Sequence, residues 1–203
     1  MQSYTPAKIA LRVVIYSLLV FGIAEAIRFD AISPLEDALF GEISRTELLQ
    51  ELILLALAFF YLMLGKRHQT VQPVSNLVGL FLLIGFIREL NFLIDWWFWP
   101  ALMVLLTGLW LVWRDFKKLK SATREFFSQP ASAWFFAGIL ITYVFSRLMG
   151  RSKLWLELYD ENNYRMAKAA TEEGLELMGD LLLLISAIEF ALAFWNKKRK
   201  FNS

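Results

Sequence analysis

Six long apolar segments follow one another along this sequence, each close to the roughly 20 residues that a helix needs to cross a bilayer. A bilayer interior offers no water to backbone amides, so a segment that crosses alone must satisfy its own hydrogen bonds as a helix. The sequence therefore predicts an all-α fold, a single polytopic membrane domain of six transmembrane helices over residues 1–203. The six predicted spans are 9–27, 46–64, 76–93, 97–113, 133–149 and 176–195.

Composition excludes several kinds of chemistry. The chain is 58% hydrophobic and contains no cysteine, which excludes thiol catalysis, thiolate metal sites and iron–sulfur clusters. A single histidine, His68, excludes haem held by two histidines, and we expect it to be solvated in a basic loop. The net charge of +2 is too small to favour nucleic-acid binding. We therefore expect no haem, no iron–sulfur cluster and no nucleic-acid partner.

Basic residues predict the orientation, because cytoplasmic loops carry the excess of Lys and Arg. The termini and the even-numbered loops are basic, whereas acidic residues collect in the two longer loops. The sequence thus predicts an integral protein of a bacterial inner membrane with both termini in the cytoplasm. The residues behind this prediction are Lys8, Lys66, Arg67, Arg114, Lys117, Lys118, Lys120, Arg124 and 197–200 on one side, and Asp30, Glu36, Asp37, Glu42, Glu157, Asp160 and Glu161 on the other.

The first segment raises a question of processing. Ala24, Glu25 and Ala26 resemble the small-residue cleavage site of a signal peptide. The apolar segment before them is long for a signal peptide, and six helices satisfy the charge rule. We therefore expect residues 1–26 to be retained.

Acidic residues enter the last apolar segment on one helical face. Glu172, Glu173, Glu176 and Asp180 fall within an arc of about 100° on a helix. A carboxylate within a bilayer costs at least about 2.5 kcal/mol, so it is rarely found there without a partner or a task. The pattern predicts a charged intramembrane site that opens to the outer, periplasmic face.

Other helices place charges at a similar depth. Arg88 is the expected counter-charge, paired inside the bundle, while Glu89 points about 100° away toward a different neighbour. A structural ion-pair network that fixes helix register is the alternative interpretation. The candidate ligand- or ion-binding residues are Glu51, Arg88, Glu89, Arg147, Glu173, Glu176 and Asp180.

Glu189 and Arg12 lie at comparable depths near the cytoplasmic end of the last and first helices. We expect them to form a separate, structural ion pair that joins these two helices.

Three functions fit this pattern. The first is binding or transport of a cation, a proton or a small polar ligand, because carboxylates are hard oxygen ligands and burial favours their neutral form. The second is a membrane-embedded enzyme on lipid headgroups, with a divalent cation at Glu51, Glu176 and Asp180. The third is an accessory or assembly subunit of a membrane complex. The lipid bilayer is the expected partner, joined by a second copy of the chain or another membrane protein.

Local patterns make three smaller predictions. Ser44, Thr46 and Glu47 belong to a capping-box pattern at the start of the second helix. Residues 166–171 should be helical and extend the last helix. An amphipathic segment around Phe126 and Phe127 should lie on the headgroups.

Overall fold

A computed structural model describes residues 5–35, 43–161 and 163–201, with side chains as far as residue 194. These residues form helices and no strand. A 3₁₀ turn, Leu90–Phe92, continues the third helix, and a π-helical turn, Ile141–Phe145, joins the fifth to the sixth. The acidic residues Glu36, Asp37 and Glu42 lie outside the described residues. The helices are α1 (Pro6–Ile32), α2 (Arg45–Arg67), α3 (Gln72–Glu89), α4 (Phe98–Phe127), α5 (Ala131–Leu140), α6 (Ser146–Met149), α7 (Ser152–Leu156) and α8 (Tyr164–Phe201).

Five stretches are long and apolar enough to cross a membrane, which confirms the prediction of a helical membrane bundle at that level. The apolar part of α4 is shorter: it runs from Phe98 to Trp113 and is followed by Arg114 and Asp115. At about 1.5 Å per residue this part is about 24 Å long, so a sixth span stays a prediction. The five stretches are Pro6–Ile32, Arg45–Arg67, Gln72–Phe92, Ala131–Met149 and Tyr164–Phe194.

The helices are longer than the predicted spans. The last one begins at Tyr164, so the helix expected over 166–171 is present and continuous with the apolar segment. Its first turns are rich in Ala, Glu, Lys and Met, which favour the helical state in water as well as in lipid. The helical ladder therefore continues beyond the residues that hydropathy alone selects.

Two compact units make up the described chain, and the first comprises Met1–Leu49 and Leu140–Leu181. Asp30, at the end of α1, is fully buried and accepts hydrogen bonds from the backbone N–H groups of Arg45 (3.0 Å) and Thr46 (2.7 Å). The Ser44 hydroxyl accepts a further bond from the N–H of Glu47 at 3.1 Å. The Ser44 cap is thus confirmed, and α2 also receives a second cap from α1.

The second unit comprises Gln50–Ile139 and Leu182–Ser203. Its core is aromatic: the rings of Tyr61 and Phe126 lie next to each other and next to those of Phe135 and Phe190, with 4.4 Å between the Phe126 and Phe190 centroids. Ser186 donates to the carbonyl oxygen of Ala131 at 2.9 Å. Phe126 is completely buried, so the prediction that it lies on headgroups was wrong. It anchors the end of α4 in this core.

His68 also differs from its prediction. Its ring packs on Phe194 with 4.7 Å between centroids, and the residue is partly buried rather than solvated. In the same unit α3 crosses α2 at Gly79, where an added Cβ would lie 2.8 Å from Leu62 Cγ and 3.0 Å from the carbonyl oxygen of Ala58. The α2–α3 crossing therefore depends on a residue without a side chain.

Candidate functional site

A π-helical turn at Ile141–Phe145 interrupts an otherwise α-helical span. Three of its five residues are the β-branched Ile141, Thr142 and Val144, which lose side-chain freedom in an α-helix. A π-turn adds one residue to the helical turn and occurs frequently at functional sites. This one lies in the first unit and precedes Ser146 and Arg147 on α6.

Two hydroxyl groups from this region face the acidic side of α8. Thr142 Oγ1 lies 3.3 Å from Oδ1 of Asp180 and 3.4 Å from the carbonyl oxygen of Glu176. Ser146 Oγ lies 3.2 Å from Oε1 of Glu176 and donates to the carbonyl oxygen of Thr142 at 2.5 Å. We call Thr142 and Ser146 the hydroxyl pair.

Three of the carboxylates of α8 occur at intervals of four residues, at Glu172, Glu176 and Asp180, and therefore share one face. We call these three residues the acidic ladder. Arg147 binds its first two members, with Nη1 at 2.9 Å from Oε1 of Glu172 and Nη2 at 2.9 Å from Oε1 of Glu176. Lys168 lies 3.3 Å from Oε2 of Glu172. The cations thus lie toward the N-terminal end of the ladder.

Exposure falls steadily along the ladder. The side chain of Arg147 is 48% exposed, that of Glu172 16% and that of Glu176 8%, and Asp180 is 1% exposed. Eight residues separate Glu172 from Asp180, which corresponds to about 12 Å along the helix. The ladder therefore forms a polar line from an accessible charged end to a buried carboxyl.

Gly150 allows the accessible end of the ladder to form. An added Cβ at this position would lie 2.6 Å from both carboxyl oxygens of Glu172. The chain turns there after α6, and the Trp155 indole nitrogen donates to the carbonyl oxygen of Met149 at 2.5 Å. A side chain at position 150 would displace the Glu172 carboxylate from Arg147.

The predicted site residues fall in two groups. Arg147, Glu176 and Asp180 belong to the first unit, where Arg147 binds Glu176 and the hydroxyl pair contacts both acids. Glu173 lies on the same stretch of α8 and is partly buried.

The remaining candidates, Glu51, Arg88 and Glu89, belong to the second unit. There Arg88 forms an ion pair with Glu89, its neighbour in sequence, and the charges of Glu51 and Glu89 interact. The expectation that Arg88 and Glu89 meet different neighbours was therefore wrong. A residue at the end of α3 has enough side-chain length to reach the next one along.

Among the described residues no group of three or more His, Asp or Glu side chains is arranged to hold a metal ion. A divalent cation at Glu51, Glu176 and Asp180 stays a prediction, and so does the pair of Arg12 and Glu189. Glu189 is 9% exposed within the second unit.

Sequence reasoning missed Thr142, Lys168 and the capping role of Asp30. Lys168 and Glu172 are four residues apart on one helix, so their spacing in the sequence could have predicted their ion pair. Thr142 lies 38 residues from Asp180, and Asp30 lies 16 residues from Thr46, so only the tertiary fold brings these partners together.

Comparison with known protein families, curated proteins and solved structures finds no match to this chain.

Proposed function

We propose that this protein is a membrane transporter that binds a proton at Asp180 and exchanges it with the outer face along the acidic ladder. The observation that carries the proposal is the contact of Thr142 and Ser146 with the buried carboxyls of Asp180 and Glu176. Ionisable residues inside a membrane are characteristic of proton relays and substrate pathways.

The number of hydroxyl hydrogens supports a bound proton. Thr142 and Ser146 carry one hydrogen each, yet each hydroxyl oxygen lies within 3.5 Å of two acceptor oxygens. If Thr142 donates to the carbonyl oxygen of Glu176, a proton on Asp180 can be donated to Thr142 Oγ1. The contact of Thr142 Oγ1 with Oδ1 of Asp180, one of the two that the hydroxyl hydrogens leave unfilled, would then be a hydrogen bond rather than two facing lone pairs.

Arg147 distinguishes the two buried acids. Its guanidinium lies 2.9 Å from Oε1 of Glu176 and stabilises the charged form of that carboxyl. Asp180 lies one helical turn further along the ladder and is the most buried of its members. Asp180 is therefore the carboxyl that takes the proton in this proposal, with Glu172 and Glu176 as the charged approach.

Six spans with cytoplasmic termini belong to the same proposal. Exposed tryptophans lie near both ends of the apolar part of α4, with Trp99 at one end and Trp110 and Trp113 at the other. Tryptophans at both ends of a helix are typical of the two interfaces of a membrane. This arrangement supports α4 as a short sixth span and the acidic ladder as open to the outer face.

The test is proton flux into liposomes that contain the purified protein. With a potassium diffusion potential set by valinomycin and a pH-sensitive dye inside, the wild type should carry protons. The Asp180→Asn variant should lose this flux, and Thr142→Val should reduce it at least tenfold. Thr107→Val is the matched control, because Thr107 is exposed and donates only to Met103 within its own helix at 2.8 Å.

Infrared spectroscopy tests the proton directly. A protonated carboxylic acid has a carbonyl band that a carboxylate lacks, and the wild type should show one that disappears in Asp180→Asn. Wild-type flux in Asp180→Asn, or an unchanged infrared spectrum, would contradict the proposal.

An assembly subunit is the second candidate function, and the exposure of α1 favours it. Only 6% of the residues in the most apolar part of α1 are buried, compared with 67% in that of α8. A helix packed so sparsely within its own chain presents its side chains to lipid or to another protein. Wild-type liposomes without flux, together with a protein that copurifies from native membranes, would favour this second function.

A further inference from the structure

Helix α4 is kinked at Asp115, and its sequence changes there from apolar to basic. The backbone there departs from helical geometry, with φ −101° and ψ 15°, at the point where the apolar sequence ends. Beyond it Ala122 and Phe126 are buried, and Phe126 packs in the aromatic core of the second unit. This packing fixes which face of the helix points away from the protein.

The opposite face is basic. Lys117, Lys120 and Arg124 occur at spacings of three and four, which places them on one side of the helix, and all three are exposed. We call these three residues the basic face. Lys118 is exposed beside them. The basic face lies roughly 150° around the helix from Phe126, so burial of Phe126 turns it outward.

Few acids oppose these cations. Asp115 binds Arg114 at 2.6 Å, and the hydrogen bond from Arg114 lowers the pKa of Asp115 below its usual value. Asp115 therefore stays ionised and compensates Arg114. Among residues 116–127 four cations face a single acid, Glu125, so the segment keeps a net positive charge.

Exposed aromatic residues lie where the apolar part of α4 ends and its basic part begins. Trp113 is 78% exposed and Phe116 71%, and both lie at the junction between the apolar and basic parts of α4. The Arg114 guanidinium lies 4.6 Å from the Trp110 ring centroid. Exposed aromatic residues between an apolar helix and a cationic one are typical of a membrane interface.

We propose that the basic face of Lys117, Lys120 and Arg124 binds the headgroups of anionic phospholipids. The charge complementarity is direct, because the face is cationic, exposed and adjacent to an apolar helix with aromatic residues at its end. Each Lys or Arg near an anionic surface strengthens binding by about fivefold. This inference is independent of the proton site, since the basic face belongs to the second unit and the acidic ladder to the first.

The absence of cysteine from the sequence permits a local measurement. A fluorophore on Ser121→Cys lies on the basic face, because Ser121 is exposed and falls between Lys117 and Arg124. The protein is placed in bilayers that mix phosphatidylglycerol with phosphatidylcholine. Either lipid can be supplied in brominated form, and the brominated lipid quenches the fluorophore when it lies beside it. The quenching gives the relative binding constant of the two lipids at this position.

In the whole protein labelled at Ser121→Cys and otherwise wild type, the relative binding constant should favour phosphatidylglycerol over phosphatidylcholine. The variant Lys117→Gln/Lys120→Gln/Arg124→Gln should lower the relative binding constant at least tenfold. Lys120→Gln alone should lower the relative binding constant about fivefold, so this single variant still tests the proposal if the triple variant fails to fold. High salt should weaken the wild-type preference, because mobile ions screen exposed charges.

The matched control is Arg151→Gln/Lys153→Gln/Arg165→Gln, which removes three exposed cations from the first unit. This control should leave the preference at Ser121→Cys unchanged. An equal loss in the control would overturn the proposal in favour of a general charge effect. A wild-type relative binding constant near one, or one that Lys120→Gln does not change, would overturn it as well.

Discussion

Asp30 shows how one buried side chain connects two helices. Its carboxylate accepts bonds from the N–H of Arg45, the N–H of Thr46 and the hydroxyl of Thr46, all within 3.0 Å. These donors begin α2, where the first N–H groups have no partner within the helix and the helix dipole is positive. A residue that resembles an ordinary loop acid in the sequence thus caps a helix 15 residues away.

We expect Asp30→Ala to lower the free energy of unfolding by about 2–3 kcal/mol, because it removes a cap and leaves buried donors without a partner. Asp115→Ala is the control, since the ion pair of Asp115 with Arg114 lies at the surface, where water screens it, and should contribute much less to stability. Unfolding of both variants in detergent, followed by tryptophan fluorescence, checks this. Similar losses in both variants would contradict the capping role.

At the scale of helices, apolar length predicted much of what is present. The five long apolar stretches coincide with helices, because a helix is the structure that satisfies its own backbone in lipid. The departures from regular helix were not predictable. The π-turn at Ile141–Phe145 and the kink at Asp115 depend on neighbours distant in sequence, such as Asp180 for Thr142 and Phe190 for Phe126.

The α2–α3 crossing makes a prediction about glycine. Gly79→Ala would bring a Cβ against Leu62 and the Ala58 backbone, so we expect a loss of about 1–3 kcal/mol in the free energy of unfolding. Gly22→Ala is the control, because nothing lies within 4 Å of its added Cβ, and alanine favours the helix by about 1 kcal/mol. Thermal unfolding of the two variants should therefore shift in opposite directions, and a shift in the same direction would be inconsistent with close packing at Gly79.

For the whole molecule, the sequence predicted the candidate site only in part. Arg147, Glu176 and Asp180 belong to one unit, where Arg147 binds Glu176 and Thr142 contacts Asp180, whereas Glu51, Arg88 and Glu89 belong to the other. Helical periodicity places residues on a face, but it does not tell which helices share a compact unit. The contact of the hydroxyl pair with these acids could not be predicted either, since Thr and Ser are ordinary residues of membrane helices.

Topology follows from whether α4 crosses the membrane. With six spans and a cytoplasmic N-terminus, an impermeant maleimide should label Glu157→Cys on intact cells and Ser128→Cys only after permeabilisation. If α4 does not cross the membrane, the maleimide should label Ser128→Cys on intact cells and Glu157→Cys only after permeabilisation. Gln69→Cys is the control, because it stays cytoplasmic in both cases, and its label should appear only after permeabilisation.

The π-turn has one more consequence, for changes in chain length. A π-turn holds one more residue than an α-helical turn, so the residues after it lie where they would lie in an α-helix one residue shorter. Deletion of one residue within 143–145 would therefore convert this turn to α-helix and leave Ser146 and Arg147 facing α8. Insertion of one residue there would instead rotate Ser146 and Arg147 by about 100° and separate the acidic ladder from its partners. The span should therefore tolerate shortening by one residue better than lengthening by one.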